Sequence, residues 1–287
     1  MTVTVPTPAT LPPQRPAPPS VDSTRPPLRL AGYDFLNALR RTDSWFAMAR
    51  GELAARYGRT LFGAAWNMLI FGAFCIVIIT LFGSLQPDLE YEFGVFVVIG
   101  FLVFTLLSTT LTDAATVYTS NANWMKAVEL PLGFYIYKGI ARNLIIFGYN
   151  LVAAIGILWF FYDFDPHPSQ LTILATVPVI LLTMVAVNVI LGPICARYRD
   201  LAQVVLTFSR FSLFITPIMW TADLGGIRGL IAQYNPLTHY IEIIRTPILH
   251  ARVPVESWLL VGAFTAAIIM LAVPVYLLTR RRLVFWL

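Results

Sequence analysis

Charge is scarce in this chain. Of its 287 residues only 12% are Asp, Glu, Lys or Arg, where an ordinary soluble domain carries about 25%. Apolar residues reach 57%, against a usual share of roughly 45–50%. One water-facing core of this size cannot hide that surplus. The composition excludes a soluble enzyme, a disordered chain and a nucleic-acid binder. Cysteine is scarce too. Cys75 and Cys195 lie in apolar runs with no metal-ligand spacing, and both read as small apolar residues. HExxH, Gly-x-Ser-x-Gly and any Gly-Lys pair are absent, so the chain has no Walker A loop. No metal site and no catalytic group are expected. A carrier driven by protons or sodium would place Asp, Glu or His inside its spans. The apolar runs hold none except near their ends.

What the chain has is uncharged length. No charge falls between Arg59 and Asp88, Glu92 and Asp113, Arg142 and Asp163, Asp165 and Arg197, or Glu256 and Arg280. About 20 apolar residues cross a bilayer core as a helix. A sixth run, Leu201 to Thr221, is interrupted only by Arg210. The expectation is an all-α polytopic membrane protein with six spans, at roughly 63–84, 93–112, 140–162, 171–195, 203–221 and 257–279. No cleavable signal peptide is expected, because the first apolar run begins after residue 60.

The net charge of +5 is placed by topology. Of 20 basic residues, only Arg228, Arg245 and Arg252 fall on the side opposite the termini. The loops of that side carry Asp88, Glu90, Glu92, Asp163 and Asp165 instead. By the positive-inside rule both termini are cytoplasmic.

Four segments stand outside the spans. Residues 1–29 hold nine of the 20 prolines and read as a disordered cytoplasmic tail. Residues 33–59 set Phe46, Leu53 and Tyr57 near one helical face, with Arg50, Glu52 and Arg56 between them; this is the pattern of a helix in the membrane interface. Thr42-Asp43-Ser44 is its cap signal. In the loop after the second span, Asn121 or Asn123 caps a short helix through Glu129, and Pro131 stops it. Such a helix suits docking of a cytoplasmic partner. Residues 222–256 are external yet apolar, broken at Gly225-Gly226 and Asn235-Pro236. They read as a re-entrant helical hairpin, with Asn235 as cap and Pro236 at the first helical position. On its second helix His239, Glu242 and Arg245 share a face, a hydrogen-bonded structural stripe more than a catalytic or metal group. Arg210 either snorkels to the interface or lines a passage. Aromatics such as Trp66, Phe74, Phe214 and Trp220 face lipid, neighbouring helices or that passage.

Several stretches resemble the permease subunits of polysaccharide ABC exporters, in particular those of the O-antigen and lipopolysaccharide type. Arg56-Tyr57-Gly58-Arg59-Thr60-Leu61-Phe62-Gly63-Ala64-Ala65-Trp66 is similar to their "RYRxSxLGxxW". Lys126-Ala127-Val128-Glu129-Leu130-Pro131 resembles "KxxxLP", and Ala196-Arg197-Tyr198-Arg199-Asp200-Leu201 resembles "ARFRDI". Thr216-Pro217-Ile218-Met219-Trp220 is similar to "TPVMW". Asn235 to Pro247 resembles "NPxxHxxEIxRxP", and the basic ending Arg280-Arg281-Arg282 is also like the family's. The matches run in order from about residue 33 to the end. Gly58 stands where the family has a second basic residue, and Arg210 where it has a neutral one.

The resemblance implies a type-2 ABC transporter transmembrane domain over 30–287. Two copies would form the channel, and two copies of a separate ABC ATPase would hold ATP and Mg; this chain would carry no cofactor. The cargo would be a polysaccharide on polyprenyl diphosphate, moved outward across the cytoplasmic membrane. Arg56, Tyr57 and Arg59 would receive the lipid headgroup. Trp66, Phe74, Arg210, Phe214 and Trp220 would line the channel. Trp124, Lys126, Glu129, Leu130 and Pro131 would couple to the ATPase. Tyr234, Asn235, His239, Glu242 and Arg245 would form the outer gate. The alternatives are an ABC exporter of a drug or small lipid and a membrane-embedded glycosyltransferase. The latter would need an acidic catalytic residue near the outer surface.

Overall fold

Long runs without charge have one solution in hydrocarbon, because every backbone N–H and C=O must find a partner within the segment. The computed structural model describes residues 27–83, 90–128, 130–161, 167–220 and 226–287. Every regular element among them is helical. Helices α1 (Pro27–Leu39) and α2 (Thr42–Tyr57) precede the first long apolar helix, α3 (Ala65–Gly83). Next come α4 (Glu90–Thr116), the short α5 (Ala122–Ala127), α6 (Leu132–Phe161) and α7 (Thr172–Arg197). They are followed by α8 (Arg199–Ile215), α9 (Gly226–Tyr234), α10 (Pro236–Leu249), α11 (Val255–Thr279) and the final turn α12 (Leu283–Trp286).

Among the described residues five helices are long and apolar enough to cross a membrane: α3, α4, α6, α7 and α11. The sixth expected span corresponds to α8, which differs in extent. It has 17 residues and ends at Ile215, before Thr216-Pro217. At 1.5 Å per residue it reaches about 25 Å, short of the ~30 Å hydrocarbon core.

Helix α4 is the centre of the molecule. Its most apolar stretch is 67% buried, against 17% for those of α3, α6 and α11. It packs on α3, α6, α7, α8 and α10. Lipid tails are as apolar as leucine, so close fit and interhelical hydrogen bonds hold such helices together. Both devices are visible. Gly192 lets α7 lie against the end of α4, where a Cβ would stand 2.7 Å from the Tyr118 ring. Ser108 of α4 and Ser209 of α8 share a 2.6 Å hydrogen bond. Cys75 and Cys195 are buried free thiols.

Three local readings are corrected. The interface segment 33–59 is two helices, broken at Arg40-Arg41, and α1 already starts at Pro27 within the stretch read as tail. Arg41, not Thr42-Asp43-Ser44, holds the cap position of α2, and it makes no side-chain cap bond. The short helix α5 ends at Ala127, and Pro131 stands just before the next helix, where its carbonyl accepts the N–H of Phe134 at 2.9 Å. The rest of the tail, residues 1–26, lies outside the described residues, as do Asp88, Glu129, Asp163 and Asp165.

Candidate functional site

The approach to α3 is built from the last turn of α2. Arg56 and Arg59 are both exposed. Between them, the Tyr57 hydroxyl meets the Asn67 side chain, whose Nδ2 donates to it at 3.0 Å. Asn67 Nδ2 also donates to the Ala64 carbonyl at 3.0 Å. Thr60 Oγ1 donates to the Tyr57 carbonyl at 2.8 Å. The turn needs two glycines: Gly63 has φ +56, and a Cβ on Gly58 would stand 2.6 Å from the Ala54 carbonyl oxygen. Tyr57 is thus a tie within the turn, and the two guanidinium groups beside it face outward. Trp66, 40% exposed, stands edge-on to Phe62 at 5.4 Å.

The residues read as channel lining separate into two groups. Phe74 is half-buried and stacks on Phe101, with centroids 4.0 Å apart, inside the protomer. Arg210 and Phe214 lie on the open side of α8, with Val204, Phe208 and Phe211 exposed beside them. Arg210 makes no hydrogen bond or ion pair with another described residue. The opposite side of α8 carries Ser209 and Ser212, both buried. Trp220 turns its Nε1 to the Phe214 carbonyl at 3.1 Å.

On α5, Trp124 is 54% exposed and Lys126 is exposed, while Leu130 packs on the main core. Glu129 is outside the described residues. Next to this element lies a polar cluster that sequence reading missed. Lys138 of α6 is 1% exposed and binds Glu52 of α2. It also donates to Asn121 Oδ1, just before α5, at 2.5 Å. One turn on, Arg142 bridges Glu52 at 2.9 Å and Asp113 of α4 at 2.7 Å. Two cations four residues apart in an apolar helix were the available signal, since such charges require carboxylates. Starting the third span at residue 140 left Lys138 in the loop.

The segment from α9 to α10 is held by a second cluster. Asn235 caps α10 as expected, accepting from the Leu237 N–H at 3.0 Å, with Pro236 in first position. Its Nδ2 donates to Thr216 Oγ1 at 3.0 Å. Arg245, 2% exposed, donates to Glu242 at 3.1 Å and to the Pro217 carbonyl at 2.9 Å. Its guanidinium sits 3.6 Å over the Phe96 ring of α4. Gly100 makes room for it: a Cβ there would lie 2.2 Å from the arginine's terminal nitrogen. His239 does not join this pair. It meets Ser257 Oγ at 3.2 Å and the Gln233 carbonyl at 2.9 Å. Tyr234 is 80% exposed. Tyr240 reaches the middle of two long helices, sharing hydrogen bonds with Thr183 of α7 (2.8 Å) and Thr265 of α11 (2.7 Å). A cavity of about 580 Å³ opens beside this triangle, with Leu107, Met184, Phe208, Tyr234 and Phe264 in its wall. Among the described residues no three His, Cys, Asp or Glu side chains are grouped to hold a metal.

Residues 43–249 match the ABC-2 type transporter family. That match spans well over half of the chain. The chain belongs to the ABC-2 type transporters. It is also similar to the O-antigen export system permease protein RfbA of Myxococcus xanthus, with 22% identity over 229 residues, 79% of this chain and 88% of the relative. Both findings agree with the resemblance carried by the ordered motifs. In this ABC-2 transporter the matched region runs from α2 to the end of α10. It therefore contains both polar clusters and the open side of α8.

Proposed function

We propose that this chain is the channel-forming permease subunit of an ATP-driven exporter. Its cargo is a cell-surface polysaccharide carried on polyprenyl diphosphate, such as O-antigen or capsule. Two copies form the passage in the cytoplasmic (inner) membrane, with both termini cytoplasmic, and two copies of an ABC ATPase dock on α5 from below. In this reading α8 together with residues 216–220 makes the sixth span. The segment from α9 to α10 dips into the bilayer from outside, which the Tyr240 contacts with mid-helix Thr183 and Thr265 support. Helices α1 and α2 lie at the cytoplasmic interface.

The observation that carries the reading is the open side of α8. A cation and three aromatic rings are exposed on a helix whose opposite side buries Ser209 and Ser212. Facing lipid, a charge at that depth costs about 2.5–3.5 kcal/mol on insertion scales. Facing a hydrated passage between two copies it costs little, attracts an anionic cargo and leaves flat rings to stack on sugar faces. Arg210→Leu is then expected to insert and assemble normally while lowering export several-fold. Unchanged surface polysaccharide at matched protein levels would assign Arg210 to snorkelling.

The exporter reading is tested as a whole by deletion and reconstitution. Loss of the gene should abolish the surface polysaccharide and leave its lipid-linked precursor inside. The purified chain alone should turn over no ATP, whereas its complex with the co-purified ATPase should. Sustained hydrolysis by the isolated chain would sink the proposal.

A further inference from the structure

The four-charge cluster joins three helices and the foot of α5, and it is internally neutral. Lys138 and Arg142 balance Glu52 and Asp113. Its geometry is directional. Asn121 is 6% exposed, and its Nδ2 is fixed to the Val117 carbonyl at the end of α4 by a 2.7 Å bond. Only its Oδ1 reaches Lys138. Lys138 in turn holds Glu52. Glu52 lies one helical turn before Arg56, so the two share a side of α2. A path of three side chains therefore runs from the base of α5 to the exposed arginines at the approach to α3.

We infer that Asn121 and Lys138 are positioning residues, which tie the placement of α2 and its arginines to the movement of α5. This rests on the reading of α5 as the ATPase contact. A shift of α5 moves Asn121, because only the peptide bond separates it from Ala122. Lys138 has almost no water to replace a lost partner, so its ammonium follows Oδ1 or leaves a buried donor unsatisfied, at a cost. Glu52 is bound by both Lys138 and Arg142 and follows in turn. Nucleotide state below is thereby read as arginine position above. A plain structural clamp would need the ion pairs but not the link to Asn121.

The test separates those roles. Asn121→Ala cuts the link to α5 and leaves all three ion pairs; Asn121→Asp keeps an acceptor oxygen for Lys138. Spin labels at Ala55 of α2 and Ala127 of α5, both exposed, report the distance between the two helices. Cys75 and Cys195 are replaced by Ala for this purpose. The sample is the full complex with its co-purified ATPase in nanodiscs, with and without Mg-ATP and vanadate. Wild type and Asn121→Asp should change distance between the two states. Asn121→Ala should hydrolyse ATP at a near-normal rate, show no correlated change and export about tenfold less, as expected of a lost coupling of ordinary size. Normal export by Asn121→Ala, or the same distance change in it, overturns the relay. So does a wild-type complex that hydrolyses ATP with no change in distance. Failure of the exporter reading shows elsewhere, as surface polysaccharide that survives deletion of the gene.

Discussion

Arg245→Met is expected to destabilise the purified chain by about 1–3 kcal/mol, the usual cost of leaving a buried acceptor, here the Pro217 carbonyl, without its donor. The side chain is 2% exposed and serves three neighbours: Glu242, the Pro217 carbonyl and the Phe96 ring. Methionine fills part of the volume and donates to none of them. Gly100→Ala should also destabilise, by about 1–3 kcal/mol, because the added carbon overlaps the guanidinium. The two effects should not add. Once residue 245 is methionine, the methyl at 100 has room, and the second substitution should cost close to nothing. Unfolding of the four proteins in mixed micelles measures this cycle. Additive losses would mean that Gly100 is small for another reason than Arg245.

The second large effect is expected at the approach to α3. Arg56→Lys with Arg59→Lys should insert and accumulate normally yet lower surface polysaccharide roughly tenfold or more. Lysine keeps the positive charge that sets topology. It lacks the flat fork that binds two oxygens of a diphosphate at once. A pair of charge-assisted bonds, each worth about 1.5–3 kcal/mol, accounts for a loss of that order. Tyr57→Phe is the contrasting change. It removes the tie to Asn67 and should loosen the turn without altering the charge beside it. If the double lysine variant exports fully, both arginines serve only to anchor the helix.

The parts of the fold that were readable from the residues are those set by one variable, hydropathy over length. The five long helices fall where uncharged runs exceed about 20 residues. The Asn235-Pro236 start of α10 was readable because cap and first position carry their own chemistry. Helix ends without such chemistry were misplaced. Asn121 does hold the cap position of α5, but its side chain makes no cap bond and is used between Val117 and Lys138. Pairing across the chain was not readable at all. Glu52 and Lys138 are 86 positions apart, and nothing local at either one names the other. Gly100 looks like any small residue in an apolar run until Arg245 is seen against it. Of the proposed site, the exposed arginines and Trp124 were visible as residues, while the cluster that connects them depends on packing alone.

The contact between Asp34 and Tyr276 bears on how the protein is made. The Tyr276 hydroxyl of α11 donates to the Asp34 carboxylate of α1 at 2.6 Å, across 242 positions of sequence. Ribosomes add roughly 5–20 residues per second, so Asp34 leaves the ribosome tens of seconds before its partner exists. Until then α1 lacks its anchor on α11 and holds only to what has already been inserted, chiefly α6. Lys138 and Arg142 have the opposite history: Glu52, Asp113 and Asn121 have all been synthesised when α6 arrives. The nascent protein can thus neutralise the buried Lys138 and its neighbour Arg142 as they appear, whereas the tie of α1 to α11 closes only when the final long helix has been made.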